Sequence, residues 1–202
     1  MIKNFKIPYI YMKMNDFGLL SKDNYLWLDD MEWISIDQIP NYKYEEDESN
    51  YIIPFAHTAR FDKWVWVFDE NNNDYMVGLC ENSEMNGIYY SQNTEDAIIR
   101  NIIEYLSSAD FYKNKANALS YQKSEIELKS LITNWKIQLS GILCDKYVDL
   151  INYFSYLSLK EFSHLHGEWY ALLSYEERDE LIEKYINFDK INQEFPWFIC
   201  NR

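Results

Sequence analysis

The alternation of apolar and polar residues changes its period near residue 93 of this chain. Up to residue 92 the period is close to two, with many Tyr, Trp, Ile and Val residues, which is typical of β-strands. Beyond that point apolar residues recur every three or four positions, which is typical of amphipathic helices. The change predicts an α+β fold: a mostly antiparallel sheet over residues 9–92 with a helix from Thr94 packed on one face, then an all-helical extension.

Within the first part, strands are predicted wherever short alternating runs stand between polar segments. The acidic run Glu45-Glu46-Asp47-Glu48 separates two of these runs as a loop. The run from Asp69 to Asp74 is predicted to be a turn between antiparallel strands, because Asn and Asp tolerate a left-handed backbone. The predicted strands are residues 9–14, 25–28, 32–36, 51–55, 64–68, 75–80 and 86–90.

The second part begins at Thr94, which is predicted to be a helix N-cap followed by acidic residues that complement the helix dipole. The polar segment 113–117 is interpreted as a linker. It divides the chain into a sheet domain, residues 1–115, and a helical extension, residues 120–202.

Several patterns predict helices in this extension. Apolar residues recur at helical spacing from Ile126 to Leu139 and from Tyr147 to Phe154. Two capping-box patterns, which begin at Ser158 and Ser174, predict two further helix starts. Pro196 is predicted to end the final helix.

Composition indicates a globular cytosolic protein. No apolar run approaches the ~20 residues that are needed to cross a bilayer, and the first eight residues lack the apolar core of a signal peptide. The three cysteines, Cys80, Cys144 and Cys200, are odd in number and form no C-x-x-C motif. We therefore expect reduced thiols, neither a disulfide framework nor a zinc site.

The charge of the chain is concentrated in one segment. Between Asp29 and Glu84 there are 14 acidic and 3 basic residues, a net charge of −11 out of the chain's −14. Phosphate-rich partners need a basic face, so neither nucleic acid nor an anionic membrane is expected as a partner. Solubility alone would account for a negative charge, but its concentration favours a basic protein partner. The candidate contact residues are acids of loops at the edges of the sheet: Glu45, Glu46, Asp47, Asp69, Glu70 and Asp74.

The sequence contains no recognised catalytic or cofactor-binding motif. The five glycines stand too far apart for a G-x-G-x-x-G or P-loop phosphate cradle, and G-x-S-x-G is absent. His164 and His166 are the one plausible metal pair, but residues two apart on the predicted helix point away from each other. His57 stands between apolar neighbours and is interpreted as a structural histidine. No cofactor, metal site or catalytic residue is therefore predicted, and the chain is not expected to be an enzyme.

One segment carries a resemblance to a known family. The apolar run that ends in Pro54-Phe55-Ala56 is followed by Thr58, Asp62 and an aromatic strand from Trp64. In this order the chain resembles the SUKH superfamily, also called Smi–Knr-like proteins, over residues 25–108. The family carries a glycine-rich turn where this chain has Ala59, Arg60 and Phe61, so a different surface is expected there. The N-terminal helix common in the family is not evident in this sequence.

The resemblance implies a fold built on a single curved sheet and a function in toxin immunity. Bacterial members of the superfamily are similar to immunity proteins that bind and neutralise toxins, often nucleases, which act on nucleic acid through basic surfaces. An acidic inhibitor suits such a partner. Two other functions are open: a regulatory protein-interaction scaffold, as the fungal relatives imply, and an enzyme with an unrecognised carboxylate or Cys/His site.

Overall fold

A computed structural model gives the architecture of the chain. It describes residues 5–21, 31–44, 48–49, 51–69, 74–114, 118–120, 122–164 and 167–198. The elements, in chain order, are α1 (Tyr9–Asp16), β1 (Glu32–Trp33), the 3₁₀-helix η1 (Ile39–Asn41), β2 (Ile52–His57), β3 (Lys63–Asp69), β4 (Asp74–Cys80), β5 (Asn86–Ser91), α2 (Thr94–Leu106), β6 (Phe111–Tyr112), β7 (Lys123–Ser124), α3 (Glu125–Leu139), α4 (Asp145–Tyr156), β8 (Lys160–His164), β9 (Gly167–Ala171), α5 (Tyr175–Ile186) and β10 (Glu194–Pro196).

The chain forms two compact units. The first contains Met1–Ile98 together with Phe188–Arg202, and the second contains Ile99–Asn187. By sequence β10 belongs to the extension, yet it pairs with β5 of the first unit. The predicted division into residues 1–115 and 120–202 stays a prediction about what folds separately.

The first unit is built on an antiparallel sheet with the strand order β1-β2-β3-β4-β5-β10 among the described residues. Residues of β3 alternate between its two faces, as a strand requires. Trp64 and Trp66 belong to one buried apolar cluster, and Val65 and Val67 belong to a second one. The antiparallel sheet predicted for this part of the chain is thereby confirmed, and both of its faces are buried.

Helices cover the tryptophan face of the sheet. Tyr11 of α1 and Ala97 of α2 lie in the same cluster as Trp66, and the indole N–H of Trp66 donates a 2.9 Å hydrogen bond to the Thr94 hydroxyl. The helix begins at Thr94, as predicted, but Asn93 caps it. The Asn93 side-chain oxygen accepts a 2.9 Å hydrogen bond from the Asp96 backbone N–H.

The N-terminal prediction is wrong, because residues 9–14 form helix α1 where a strand was expected. Tyr11 and Met14, three residues apart, are both fully buried, which is helical spacing. The Tyr11 hydroxyl donates to the backbone oxygens of Ile34 (2.6 Å) and Phe55 (2.8 Å), which fastens the helix to β2. A short run rich in aromatic residues fits both periods, so the sequence pattern alone was ambiguous.

The other strand predictions of the first part vary in outcome. Strands over 51–55, 64–68, 75–80 and 86–90 are confirmed as β2 to β5. The strand predicted over 32–36 is reduced to β1, although the Ile34 N–H still donates to the Phe55 backbone oxygen at 2.8 Å. The strand predicted over 25–28 lies outside the described residues.

The second unit mixes helices with a small sheet of order β7-β6-β9-β8. Helices α3 and α4 form where the apolar spacing predicted them. Helix α3 buries Leu131 and Trp135, and helix α4 buries Phe154. The capping box at Ser174 is confirmed, since Ser174 and Glu177 exchange hydrogen bonds at the start of α5.

The prediction of an all-helical extension is wrong. The capping-box pattern at Ser158 precedes strand β8, because Phe162 pairs across a hairpin with Trp169 of β9 and the two rings stack at 5.5 Å. Pro196 ends no helix: it lies in β10 opposite Asn86. Proline is tolerated there, since β10 is an edge strand of its sheet. In the part of the chain that the structure describes, no helix is both long and apolar enough for a bilayer crossing.

Candidate functional site

Most of the acidic residues predicted to bind a partner fall where no side chain is described. Glu45, Glu46, Asp47 and Glu70 lie outside the described residues. Asp69 and Asp74 are paired in the backbone at one end of the β3–β4 ladder. Lys63 and Cys80 are paired at the opposite end. Their role in partner binding stays a prediction.

The apolar half of the family motif lies in the core. Pro54, Phe55 and Ala56 are buried in β2, and the Phe55 ring stacks on Trp66 at 4.6 Å. The register of β2 against β3 shifts between Pro54 and Ala56. This irregularity suits a proline, which has no N–H to give to the ladder. Trp64 is buried, and its ring meets the Tyr90 ring edge to face with 4.4 Å between the ring centroids.

The polar half of the motif closes the turn between β2 and β3. The Thr58 N–H donates to the Asp62 backbone oxygen (3.0 Å), and the Phe61 N–H donates to the Thr58 oxygen (3.0 Å). Between these residues lies a three-residue hairpin loop, Ala59 to Phe61. A left-handed third residue is typical of such loops, and glycine is its usual occupant.

Phe61 occupies that third position with a left-handed backbone, φ 69°. Its side chain is 70% exposed, so burial does not offset the conformation. A left-handed backbone costs a residue with a Cβ about 1–2 kcal/mol relative to the right-handed α region. The turn therefore keeps a glycine-type backbone while it presents an aromatic ring to solvent.

The Asp62 carboxylate holds this turn from both sides. It accepts a 3.1 Å hydrogen bond from the Thr58 hydroxyl and a 2.9 Å hydrogen bond from the Asn82 backbone N–H. The Thr58 hydroxyl oxygen in turn accepts from the Arg60 N–H at 3.2 Å. Asp62 thereby ties the β2–β3 turn to the segment that follows β4.

An ion pair lies beside the turn. The Lys63 ammonium contacts the carboxylate of Glu48, whose side chain is fully buried, while the Lys63 side chain is 18% exposed. The Tyr42 hydroxyl donates to the same carboxylate at 3.2 Å. Burial lowers the pKa of Lys63, but hydrogen bonds to Glu48 and Tyr42 and their charges outweigh burial, so the pKa is raised. Lys63 therefore remains charged.

The C-terminal segment covers this ion pair. The Trp197 ring lies 5.4 Å from the Lys63 nitrogen, its indole N–H donates to the Glu84 oxygen (2.7 Å), and its backbone oxygen accepts from the Ser49 N–H (2.8 Å). Two residues earlier, Phe195 lies over Gly78 and Gly87. A Cβ on Gly87 would stand 2.6 Å from the Phe195 ring, so both glycines leave room for it.

These features meet at one end of the sheet, which we call the turn end and define as residues 58–63 and 80–85 together with Glu48. Glu81, Glu84, Phe61 and Met85 are exposed there. Asp62 and Thr58 are part of the family motif and were therefore evident in the sequence. The Glu48–Lys63 pair and the role of Trp197 were not, since their partners are distant along the chain.

Two residues considered for chemistry, Cys80 and His57, lie on strands β4 and β2 of the first sheet. Burial raises the pKa of the Cys80 thiol far above its usual range, so Cys80 stays protonated and is a poor nucleophile. His57 is half-buried at the end of β2. Within the described ranges, no group of three or more His, Cys, Asp or Glu residues could hold a metal ion.

The remaining residues considered for chemistry lie in the second unit or outside the described residues. Cys144 is exposed at the start of α4, where its backbone takes the N-cap position. His164 is the last residue of β8, His166 lies outside the described residues, and so does Cys200. Comparison with known proteins found no matching family model, curated protein or solved structure.

Proposed function

We propose that this chain is a cytosolic immunity protein of the SUKH type, which binds a basic toxin and neutralises it by occlusion. One observation carries the family assignment. Phe61 is left-handed within a loop closed by Thr58 and Asp62, at a position where the family carries glycine. The sequence departs from the family pattern here, yet the backbone has the conformation for which glycine is usually needed.

The N-terminal helix gives this proposal further support. Helix α1 lies on the tryptophan face of the sheet, where Tyr11 packs against Phe55 and Trp66 at 5.8 Å and 5.0 Å. An N-terminal helix is common in the superfamily. The first unit therefore has an N-terminal helix, which the sequence did not make evident, and this helix contacts the motif strand.

Electrostatics support a basic partner. The segment that carries a net charge of −11 has only three bases, and one of them, Lys63, is neutralised by Glu48. Glu81 and Glu84 remain exposed at the turn end. Negative charge on one partner speeds encounter with a positive one and discriminates against other acidic proteins.

The proposal predicts that a neighbouring gene encodes a protein with a basic toxin domain, and this domain, once purified, is the probe. Association with the full chain should be fast at low salt and should slow as salt rises, because steering charges are screened. A variant that combines Glu81→Lys and Glu84→Lys should associate about tenfold more slowly and depend less on salt.

A matched control reverses two exposed acids of α5, Glu176→Lys and Glu180→Lys, which lie in the second unit. This control should leave the association rate nearly unchanged. Absence of binding by the wild-type chain would refute the proposed function. Equal slowing by both double variants would show that overall charge matters and that the turn end does not.

A further inference from the structure

The turn end presents an exposed aromatic ring on a backbone that is fixed by hydrogen bonds. Phe61 is 70% exposed, and Met85 of the same end is 57% exposed. Aromatic residues, Met and Arg are enriched at the centres of protein interfaces, and Arg60 immediately precedes Phe61. We propose that Phe61 is the anchor of the partner interface and enters an apolar pocket on a basic protein.

This inference rests on the proposed function and names a contact beside the acidic residues of the turn end. Phe61 stands next to Asp62, and the Asn82 bond to Asp62 brings the segment with Glu81 and Glu84 beside the turn. An apolar ring among acids fits an apolar pocket with basic residues at its rim. Charge then directs the encounter, and burial of the ring holds the complex.

Rigid presentation makes Phe61 suited to this role. Hydrogen bonds from Thr58 to Asp62 and from Phe61 to Thr58 close the loop. A further hydrogen bond joins the Asp62 carboxylate to the Asn82 backbone N–H. A ring on such a loop loses little conformational freedom on binding, and preorganisation of this kind raises affinity.

The strained backbone also points to the side chain as the reason for Phe61. Glycine would satisfy this loop without strain, and the fold gains little from a ring that is mostly in solvent. Residues kept in unfavourable conformations cluster at sites of function. Phe17, the C-cap residue that follows α1, is 59% exposed and has an ordinary φ of −86°, so it is a matched aromatic residue without this strain.

The test compares Phe61→Gly, Phe61→Leu and Phe17→Ala in the full chain, with the neighbour-encoded basic domain as the probe. Phe61→Gly removes the anchor and suits the loop, so we expect about 30-fold weaker equilibrium binding, mostly through faster dissociation. The same variant should melt about 2 °C higher, because the strain is relieved. Phe61→Leu keeps an apolar group and should lose less than Phe61→Gly, while Phe17→Ala should bind like wild type.

The melting temperature separates lost contact from lost fold. Weaker binding by a variant that is at least as stable as wild type does not come from lost fold. A smaller loss in Phe61→Leu than in Phe61→Gly assigns the remaining difference to the apolar side chain. Wild-type affinity in Phe61→Gly, or equal losses in Phe61→Gly and Phe17→Ala, would overturn the anchor while leaving the proposed function intact. If the wild-type chain itself fails to bind the probe, the proposed function and this inference fall together.

Discussion

Removing one partner of the buried Glu48–Lys63 pair should destabilise the first unit strongly. In Lys63→Met the Glu48 carboxylate loses its counter-charge but stays buried, with the Tyr42 hydroxyl as a remaining donor. Removal of one member of a buried pair costs about 3–5 kcal/mol, because the other charge is left uncompensated. Since the Lys63 side chain keeps 18% exposure, we expect a value near the lower limit, about 3 kcal/mol.

The double-mutant cycle measures the pair itself. In Glu48→Gln the lysine remains charged and mostly buried, with the Trp197 ring centroid 5.4 Å from its nitrogen. A loss of about 2 kcal/mol in the free energy of unfolding is therefore expected. The double variant Glu48→Gln with Lys63→Met should lose less than the sum of the single variants, which gives a coupling energy of about 1–2 kcal/mol.

The assay is urea unfolding at neutral pH, with the free energy extrapolated from the midpoint and slope. The matched control is the Lys160–Glu177 pair, whose side chains are 40% and 41% exposed. Its cycle should give a coupling below about 1 kcal/mol, as is usual for exposed pairs. Equal coupling in both cycles, or a Lys63→Met variant as stable as wild type, would refute the reasoning from burial.

Three further predictions concern stability. Phe195→Ala should lose about 3–5 kcal/mol in urea unfolding by emptying the space over Gly78 and Gly87; a loss below about 1 kcal/mol would show that the C-terminal segment is not seated there. Gly87→Ala should lose about 1–3 kcal/mol in the same assay, because its Cβ would stand 2.6 Å from the Phe195 ring, and unchanged stability would contradict this. Burial raises the pKa of Tyr44 from 10.0 to about 12, so the stability it contributes is complete below pH 10 and is lost as pH rises towards 12; the urea midpoint should fall in that window and fall less in Tyr44→Phe, and equal pH dependence in both proteins would refute the assignment.

The sequence specified the first sheet well where one signal dominated. Trp64 to Phe68 alternates between two buried faces, so its period of two is unambiguous, and β3 formed as predicted. From Tyr9 to Met14 the same alternation was misleading. The hydrogen bonds that hold this segment as a helix join the Tyr11 hydroxyl to the distant backbone oxygens of Ile34 and Phe55. Tertiary contacts of this kind leave no mark in a local pattern.

The candidate site shows the same division. Thr58 and Asp62 could be found from the sequence through the family motif, and their hydrogen bonds close a local loop. The strand β10 could not, since Phe195 reaches β5 from more than a hundred positions away and its place depends on Gly78 and Gly87. Likewise, the acidic run that includes Glu48 was predicted to be a loop between strands, and the fold alone shows Glu48 buried against Lys63.

Neutralisation of a toxin is tested most directly in growing cells. A susceptible strain expresses the basic domain encoded beside this chain, alone or together with the chain, and its growth rate is measured. We predict that growth stops with the basic domain alone, is restored by the wild-type chain, and is restored less by the variant with Glu81→Lys, Glu84→Lys and Phe61→Gly. Arrest of growth despite full expression of the wild-type chain would contradict the proposed immunity function.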